Sequence, residues 1–462
     1  MTVTARPAAP VVGLDSLITE ETEAFTRRQP RSRALGEAAS RVLAGGATSS
    51  WQIAEPQAVW MSHGKGSKIY DVDGCEYSDF HGGYGVSVAG HAHPAVVAAV
   101  SERVRRGTHF AQPTEDAIVV AEELARRYRQ PLWRFANSGT EATMDAVHLM
   151  RASTGRDLVI KVEGCYHGHH DSVQVSVLPD ADEIGPADHP TPVAGNSGIP
   201  AGIRDLVVVV GFNDLAAVEA ALVRHEGAVA GMIVEPVMMN AGIIPADDGY
   251  LEGLVRLLHA HGALLTFDEV KSGFTAGPGG VTGLSGVTPD LACVAKAMGG
   301  GVSTAAIGGS LEVMELIVDG RYEQVGTFNG NPLAMAAARA TLTEVLVPDA
   351  YEHLERLRAR MAAEIGEVIG RHGLPWHPVT VGAKGCVTFR AEQVRCFRDF
   401  LDIDDRLGHA HWLVQHNGGV FLPPWGKVEQ WLLSVQHGDD DVDRFVTNFD
   451  RLATAVARLT EA

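Results

Sequence analysis

One stretch, Leu264 to Gly301, constrains this chain more than any other: LLTFDEVKSGFTAGPGGVTGLSGVTPDLACVAKAMGGG. Two apolar runs within and beside it, Ala263–Phe267 and Leu291–Ala295, have the length and composition of buried strands. The first ends on two acids, Asp268 and Glu269. The second ends on Lys296, with Gly299, Gly300 and Gly301 close behind. A charge at the carboxyl end of a buried strand is costly to pack, and in an open α/β sheet that end is where ligands bind. The pair suits chemistry that needs a buried amine and a buried carboxylate. Lys296 can form a Schiff base with an aldehyde cofactor. Asp268 can pair with a pyridinium nitrogen and keep it protonated, so that the ring acts as an electron sink. Those requirements describe pyridoxal 5′-phosphate (PLP). A structural Lys–Asp pair, or a lysine whose head reaches solvent, fits the same two runs equally well.

The flanking sequence supports an α/β reading. From Leu132 onward, short apolar runs (133–136, 158–162, 207–210, 229–234) alternate with helical patterns (to about Thr154, Leu215–Arg224, Tyr250–His261), which predicts a mostly parallel sheet. Residues 57–80 alternate apolar and polar around an Asp71–Gly74 turn and predict a small antiparallel sheet. Residues 32–46 predict a helix closed by Gly45 and Gly46, and residues 1 to about 30 a loose arm with one helix. After Asn331-Pro332, an alanine-rich helix to about Leu346 and an amphipathic helix over 351–371 are expected. Short strands (387–390, 420–422, 431–435) and a last helix over 440–459 complete a separate α+β tail.

With 462 residues the chain can hold two or three domains. The 38 basic and 57 acidic residues leave a formal charge of −19, which argues against a nucleic-acid partner or an anionic membrane surface. Cys75, Cys165, Cys293, Cys386 and Cys396 are odd in number and form no CxxC, so neither a disulfide frame nor a zinc site is expected. That usage fits a reducing, cytoplasmic setting. The N-terminal MTVTARPAAPVVGLDSL lacks the apolar core of a signal peptide, and no apolar run reaches transmembrane length.

Three further motifs carry candidate chemistry. Ser138-Gly139-Thr140 lies between a strand and a helix, where backbone N–H groups and two hydroxyls make an anion site for a phosphate; a plain serine N-cap looks the same. Tyr166-His167 follows a strand and Gly164, and an aromatic there can stack on a planar ring or simply pack in the core. Gly326–Pro332, small and polar before a helix, offers a second phosphate contact or an N-cap turn. The histidines of GHAHP (His91, His93) and YHGHHD (His167, His169, His170, with Asp171) invite a metal reading, but their spacing lacks a regular helical pattern and no metal is assigned.

Six segments, NSGTEATMDAVHLMRASTGRD, KVEGCYHGHHDS, VEPVMMN, ALLTFDEVKSGF, GVTPDLACVAKAMGGG and GTFNGNPLAMAA, follow one another in order. Together they resemble the class III aminotransferases, PLP enzymes of fold type I, and within them most of all the glutamate-1-semialdehyde 2,1-aminomutase branch, which also includes true transaminases. The resemblance spans roughly residues 35 to 450. It implies a large PLP-binding domain at 95–325, with a mostly parallel sheet, and a smaller α+β domain combining residues 1–94 and 326–462. It makes Lys296 the Schiff-base lysine, although Ala295 stands where the family has glycine. Asp268 becomes the pyridine-nitrogen partner, Val270 packs under the ring and Tyr166 stacks on it. Ser138, Gly139 and Thr140 become the phosphate loop, and Asn240 lies near the ring hydroxyl. Thr327 reaches the phosphate of the neighbouring subunit, so a homodimer is implied. Glu429, in FLPPWGKVEQWLLS, resembles a site acid of the aminomutases.

The chain departs from that branch in its substrate residues. Where the aminomutase pattern reads GG-V-N-S-P-V-R, this chain has Gly45-Gly46-Ala47-Thr48-Ser49-Ser50-Trp51-Gln52, so Gln52 replaces the arginine expected to hold the substrate carboxylate. A serine expected in the mobile gating loop falls at Pro179, and the SWGP segment is here Gly82-Gly83-Tyr84-Gly85. Ser49, Trp51, Gln52 and Glu429 are the candidate substrate residues. The expected activity is amino transfer between an amino acid or amine donor and a keto acid or aldehyde acceptor. The rivals are an intramolecular aminomutase and a non-catalytic PLP- or metal-binding protein.

Overall fold

The structure is a computed structural model and describes residues 13–424 and 426–461. The chain divides into two compact units. One comprises Pro94–Tyr351 and Val394–Leu401, the other the described residues of Met1–His93, Glu352–Gln393 and Asp402–Ala462.

The large unit is built on seven strands: β1 (Leu132–Ala136), β2 (Leu158–Val162), β3 (Val207–Val210), β4 (Val229–Val234), β5 (Leu264–Asp268), β6 (Leu291–Val294) and β7 (Ala305–Gly309). Their order across the sheet is β1-β7-β6-β5-β4-β2-β3. Only β7 runs against the rest; it pairs antiparallel with both β1 and β6, whereas β2 to β6 pair parallel. Every residue of β4 and β6 is buried. That is why these segments read as continuous apolar runs rather than alternating ones. The helix Gly139–Thr154 packs Ala142, Ala146, Val147 and Met150 into the same core as Ile233, Leu291, Cys293 and Ile307. Each large apolar side chain so buried contributes about 1.5–3 kcal/mol.

β7 is the strand that the sequence pattern does not announce. Its residues, AAIGG, are poor strand formers. Gly308 pairs with Trp133 across the β1–β7 ladder, and a Cβ on Gly308 would lie 2.6 Å from the Trp133 ring. The glycine is there because the indole covers it.

The large unit extends to Tyr351, beyond the boundary at 325 read from the sequence. The cause is the alanine-rich helix Pro332–Ala340, which packs against the helices Pro94–Arg106 and Glu115–Tyr128. Small side chains permit that close approach. The helix passes into a π-helical turn over Thr341–Val345.

In the small unit, Met61–Lys65, Lys68–Asp71 and Glu76–Asp79 form the expected antiparallel meander, extended by Val420–Phe421. A second sheet joins His377–Val381, Lys384–Thr388 and Trp431–Leu432. The helix expected over 32–46 spans only Pro30–Ala39. Ser40 Oγ donates to Gly36 O at 2.9 Å, a local bond that competes with further helix, and Gly45 and Gly46 lie at positive φ. Of the N-terminal arm, Leu14–Arg28 is helical, and residues 1–12 lie outside the described residues. No described helix is long and apolar enough to cross a membrane.

Candidate functional site

Asp268 closes β5 and is buried; it pairs in register with Cys293 of β6, and Lys296 follows shortly after that strand ends. The two charged residues therefore leave adjacent parallel strands at the same edge of the sheet. Asp268 Oδ1 accepts the Val270 N–H at 2.9 Å, and Oδ2 lies 2.8 Å from His167 Nδ1. A carboxylate only accepts, so Nδ1 carries the hydrogen. His167 Nε2 is buried with no hydrogen-bond partner among the described residues.

Lys296 is half-buried and adopts φ +50. The left-handed region costs a residue with a side chain on the order of 1–3 kcal/mol and occurs most often where function requires it. The chain turns sharply there: Ala295 is extended, Lys296–Gly299 is a short 3₁₀ turn, and Gly300 and Gly301 both have positive φ.

The residues expected around a ring are held by buried charges that the sequence reading did not assign. Glu235 follows β4 directly. Its Oε1 accepts from Tyr166 N (2.9 Å) and Asn240 Nδ2 (2.9 Å), and its Oε2 from Met239 N (2.8 Å). Lys271, also buried, donates to Met239 O (2.6 Å) and Asn240 Oδ1 (3.1 Å). Because Glu235 only accepts and Lys271 only donates, the Asn240 amide has a single orientation, with one N–H left to offer. Burial, and then the charge of Asp268, push the Tyr166 phenol above its ordinary range.

The two acids of the Asp268-Glu269 pair divide their work. Glu269 is fully buried and accepts from Ser272 Oγ, Val281 N, Thr282 N and Thr282 Oγ1 at 2.7–2.8 Å. Burial pushes its carboxyl up, and these donors pull it back. Glu269 thus caps the turn at Gly280–Ser285 and leaves Asp268 to face the site.

Ser138 caps the helix Gly139–Thr154 with a full capping box to Glu141. Glu141 Oε2 accepts from Asn137 N and Ser138 N, while the first-turn N–H groups of Gly139 and Thr140 have no intrahelical acceptor. A Cβ on Gly139 would lie 2.7 Å from Val270 Cγ1, so the glycine lets the phosphate-side loop approach Val270, two residues after Asp268. Thr140 Oγ1 lies 3.4 Å from His169 Nδ1. Thr327 is exposed, on a segment capped by Asn331 and tied to the sheet edge by Asn137 Nδ2 donating to Asn329 Oδ1. It lines a cavity of about 500 Å³ with His109, Arg134, Phe135 and Gln324.

The candidate substrate residues all belong to the small unit. Ser49 and Gln52 are exposed, and Trp51 is half-buried. Gln52 Oε1 accepts from Thr48 Oγ1 (2.5 Å) and Thr48 N (3.3 Å). Trp51 meets Tyr84 edge-on with ring centroids 4.9 Å apart, and Tyr84 Oη donates to Trp51 O at 2.9 Å. Tyr84 itself sits at φ +60 and packs on His81. Glu429 lines a small cavity with Phe389, His411, Trp412 and Trp431.

A model of the family Aminotransferase class-III matches residues 52–372. The chain belongs to that family. It is 36% identical over 434 residues to the glutamate-1-semialdehyde 2,1-aminomutase 1 of Macrococcus caseolyticus, which covers 92% of this chain and 99% of that protein. Among solved structures, an omega-transaminase from Sphaerobacter thermophilus has 32% identity and a TM-score of 0.88, covering 93% of this chain and 99% of its own. A glutamate-1-semialdehyde-aminomutase from Pseudomonas aeruginosa PAO1 in complex with PMP has 30% identity and a TM-score of 0.89, covering 97% and 99%. The fold is that of the PLP-dependent fold type I aminotransferases, and the cofactor of this class III member is PLP.

The residues present fit that group. An amine and a buried carboxylate leave adjacent strands, a buried imidazole nitrogen without a partner among the described residues lies behind the carboxylate, and a helix N-terminus offers N–H groups to an anion. His167 entered the sequence reading beside Tyr166 and among possible metal ligands; here its Nδ1 is engaged by Asp268. Glu235 carried the same signal as Asp268, a charge directly after a short apolar run, and could have been found by it. Lys271 carried none, because its role depends on a fold that brings 239–240 beside it.

Proposed function

We propose that this class III enzyme is an intermolecular transaminase rather than an aminomutase, acting on a donor with an aromatic or extended apolar group. When bound, PLP supplies an electrophilic carbon for an amine and a ring that takes up an electron pair. Lys296 Nζ would hold the cofactor and, once displaced by the donor amine, carry a proton away from the substrate Cα and return it on the cofactor side. Asp268 would keep a proton on the ring nitrogen, with His167 Nδ1–H steadying the carboxylate. Asn240, oriented by Glu235 and Lys271, would donate its remaining N–H to the ring hydroxyl. Tyr166 and Val270 would take the two ring faces, and Ser138, Gly139 and Thr140 the phosphate. Thr327 would serve the phosphate of a second copy, making the working enzyme a homodimer.

The observation that carries the reading is Gln52, whose amide oxygen is already engaged by Thr48, at the position where the resemblance places a carboxylate-binding arginine. Trp51 beside it, set edge-on to Tyr84, offers an apolar face. The names of the curated relatives favour the second reading, the intramolecular aminomutase. One experiment separates them: 5-aminolevulinate formation from glutamate-1-semialdehyde with no added donor, beside transamination of aromatic and aliphatic amino compounds. Transamination without donor-free conversion is expected. Efficient donor-free conversion would overturn the proposal.

A further inference from the structure

Between leaving the small unit at Val394 and returning to it at Asp402, the chain contributes the insert Val394–Leu401 to the large unit. Two of its side chains meet the loop that follows β2. Arg398 pairs bidentately with Glu163, Nε to Oε2 at 2.9 Å and Nη2 to Oε1 at 3.1 Å. Its other N–H groups donate to the carbonyls of Gly185 (2.9 Å), Ile184 (3.2 Å) and Pro186 (3.4 Å). One guanidinium thus ties the loop bearing Tyr166 and His167 to the long segment after Val177, which contains no helix or strand before Ala201. Phe397 lies against Gly164, where a Cβ would come within 2.4 Å of Phe397 Cδ2 and φ is +84.

Glu163 is 2% exposed. Burial raises its carboxyl pKa, and Arg398 opposes that. A buried carboxylate stripped of its cation is the costly case. Without Arg398, either a proton must arrive or the loop must move. The planar fork matters as well as the charge, because only a guanidinium reaches a carboxylate and three carbonyls at once.

We propose that Arg398 is a positioning residue: through Glu163 and the 184–186 carbonyls it fixes the loop that presents Tyr166 to the PLP ring and His167 to Asp268. This rests on the assignment of Tyr166 to that ring. The test compares full-length Arg398→Ala, Arg398→Lys, Glu163→Gln and the Arg398→Ala/Glu163→Gln pair, with Tyr166→Ala as reference. Arg395→Ala is the control, since Arg395 lies on the same insert but pairs with Asp247. PLP dissociation constant and visible circular dichroism of the bound cofactor are read beside Tm. Arg398→Ala should weaken PLP retention about tenfold, the scale of a contact-level coupling, and change the visible spectrum. Arg398→Lys should recover only part, and the double variant should be no worse than Arg398→Ala. Should Arg398→Ala fail to fold, the lysine variant carries the same readout. Unchanged retention and spectrum, or shifts no larger than in Arg395→Ala, overturn the proposal. If Tyr166→Ala moves neither readout, the ring assignment itself fails and the clamp falls with it.

Discussion

In the large unit, the buried acids Asp268, Glu235 and Glu269 each hold defined donors, and Lys271 holds two oxygens. In the small unit, the buried titratable groups include neutral imidazoles. Burial pushes His411 and His416 down to about 3 and His437 down to about 4. The ring nitrogens His416 Nδ1 and His437 Nε2 have no partner among the described residues. Buried charge is costly unless fully paired. The large unit bears that cost where strands end and a ligand would meet it. The small unit also buries charge, at Asp71, Asp79, Lys384 and Asp441, but packs its neutral imidazoles as aromatic core and leaves its candidate recognition residues, Ser49 and Gln52, exposed.

The largest effect should follow from removing the amine of the large unit. Lys296→Ala is expected to lower turnover by about 10⁴-fold, since it removes the amine proposed to move the substrate proton. Borohydride reduction of the holoenzyme followed by peptide mapping should label Lys296. A label on Lys271 would break the comparison, because it would turn a structural cation into the reactive one.

Next comes the carboxylate. Asp268→Asn should retain PLP yet lose about 10²–10³-fold in turnover, because an amide cannot keep a proton on the ring nitrogen. Near-normal turnover would show that the paired charge at the end of β5 is structural, like Glu269.

Acid should separate the units by stability. A base whose folded pKa lies below its unfolded value near 6.5 binds fewer protons when folded. Stability is therefore intact above about pH 6.5 and lost as pH falls toward the folded value, by about 1.4 kcal/mol per group and pH unit. His411, His416 and His437 all act this way in the small unit; in the large unit His170, pushed down to about 4 by burial, does the same. The large unit also holds Asp145, Glu163 and Glu269, raised by burial. Raised acids have the opposite sign, gaining relative stability as pH falls. Hydrogen exchange at pH 7 and pH 5 should show protection lost first in the small unit. Equal loss in both would remove the contrast.

The same contrast explains what was legible in the sequence. Asp268 and Lys296 stood out because a charge after a buried strand is an anomaly that one dimension displays. The parallel sheet was legible because doubly covered strands are continuously apolar. β7 was not, since AAIGG has strand character only under Trp133. Glu235 announced itself by the Asp268 pattern, but its part, with Lys271, in orienting Tyr166 and Asn240 needs three separated segments (166, 235–240 and 271) brought together. The grip of Arg398 on Glu163 and the 184–186 carbonyls likewise joins distant segments. The boundary near 350 was hidden because the alanine-rich helix takes its partners from residues 94–128.

The smallest expected effect sharpens the small-unit side. Gln52→Arg would restore the guanidinium that the aminomutase pattern carries at this position. A charge-assisted contact is worth roughly 1.5–3 kcal/mol against about 1 for a neutral one. The variant should therefore lower KM for a small carboxylate-bearing substrate such as glutamate-1-semialdehyde by about tenfold, with kcat for aromatic donors little changed. Gln52 is exposed, so folding stability should shift by no more than about 0.5 kcal/mol. Thr48 loses its acceptor in this variant, and Thr48→Ala is the control: it frees Gln52 without adding charge and should leave the carboxylate preference where it was. Were Thr48→Ala to produce the same gain, the limit on carboxylate binding would be the tether at Thr48 and not the missing charge. If neither variant moves KM for any substrate, residues 48–52 do not select the substrate, and the specificity of the enzyme lies elsewhere in the small unit or on the large one.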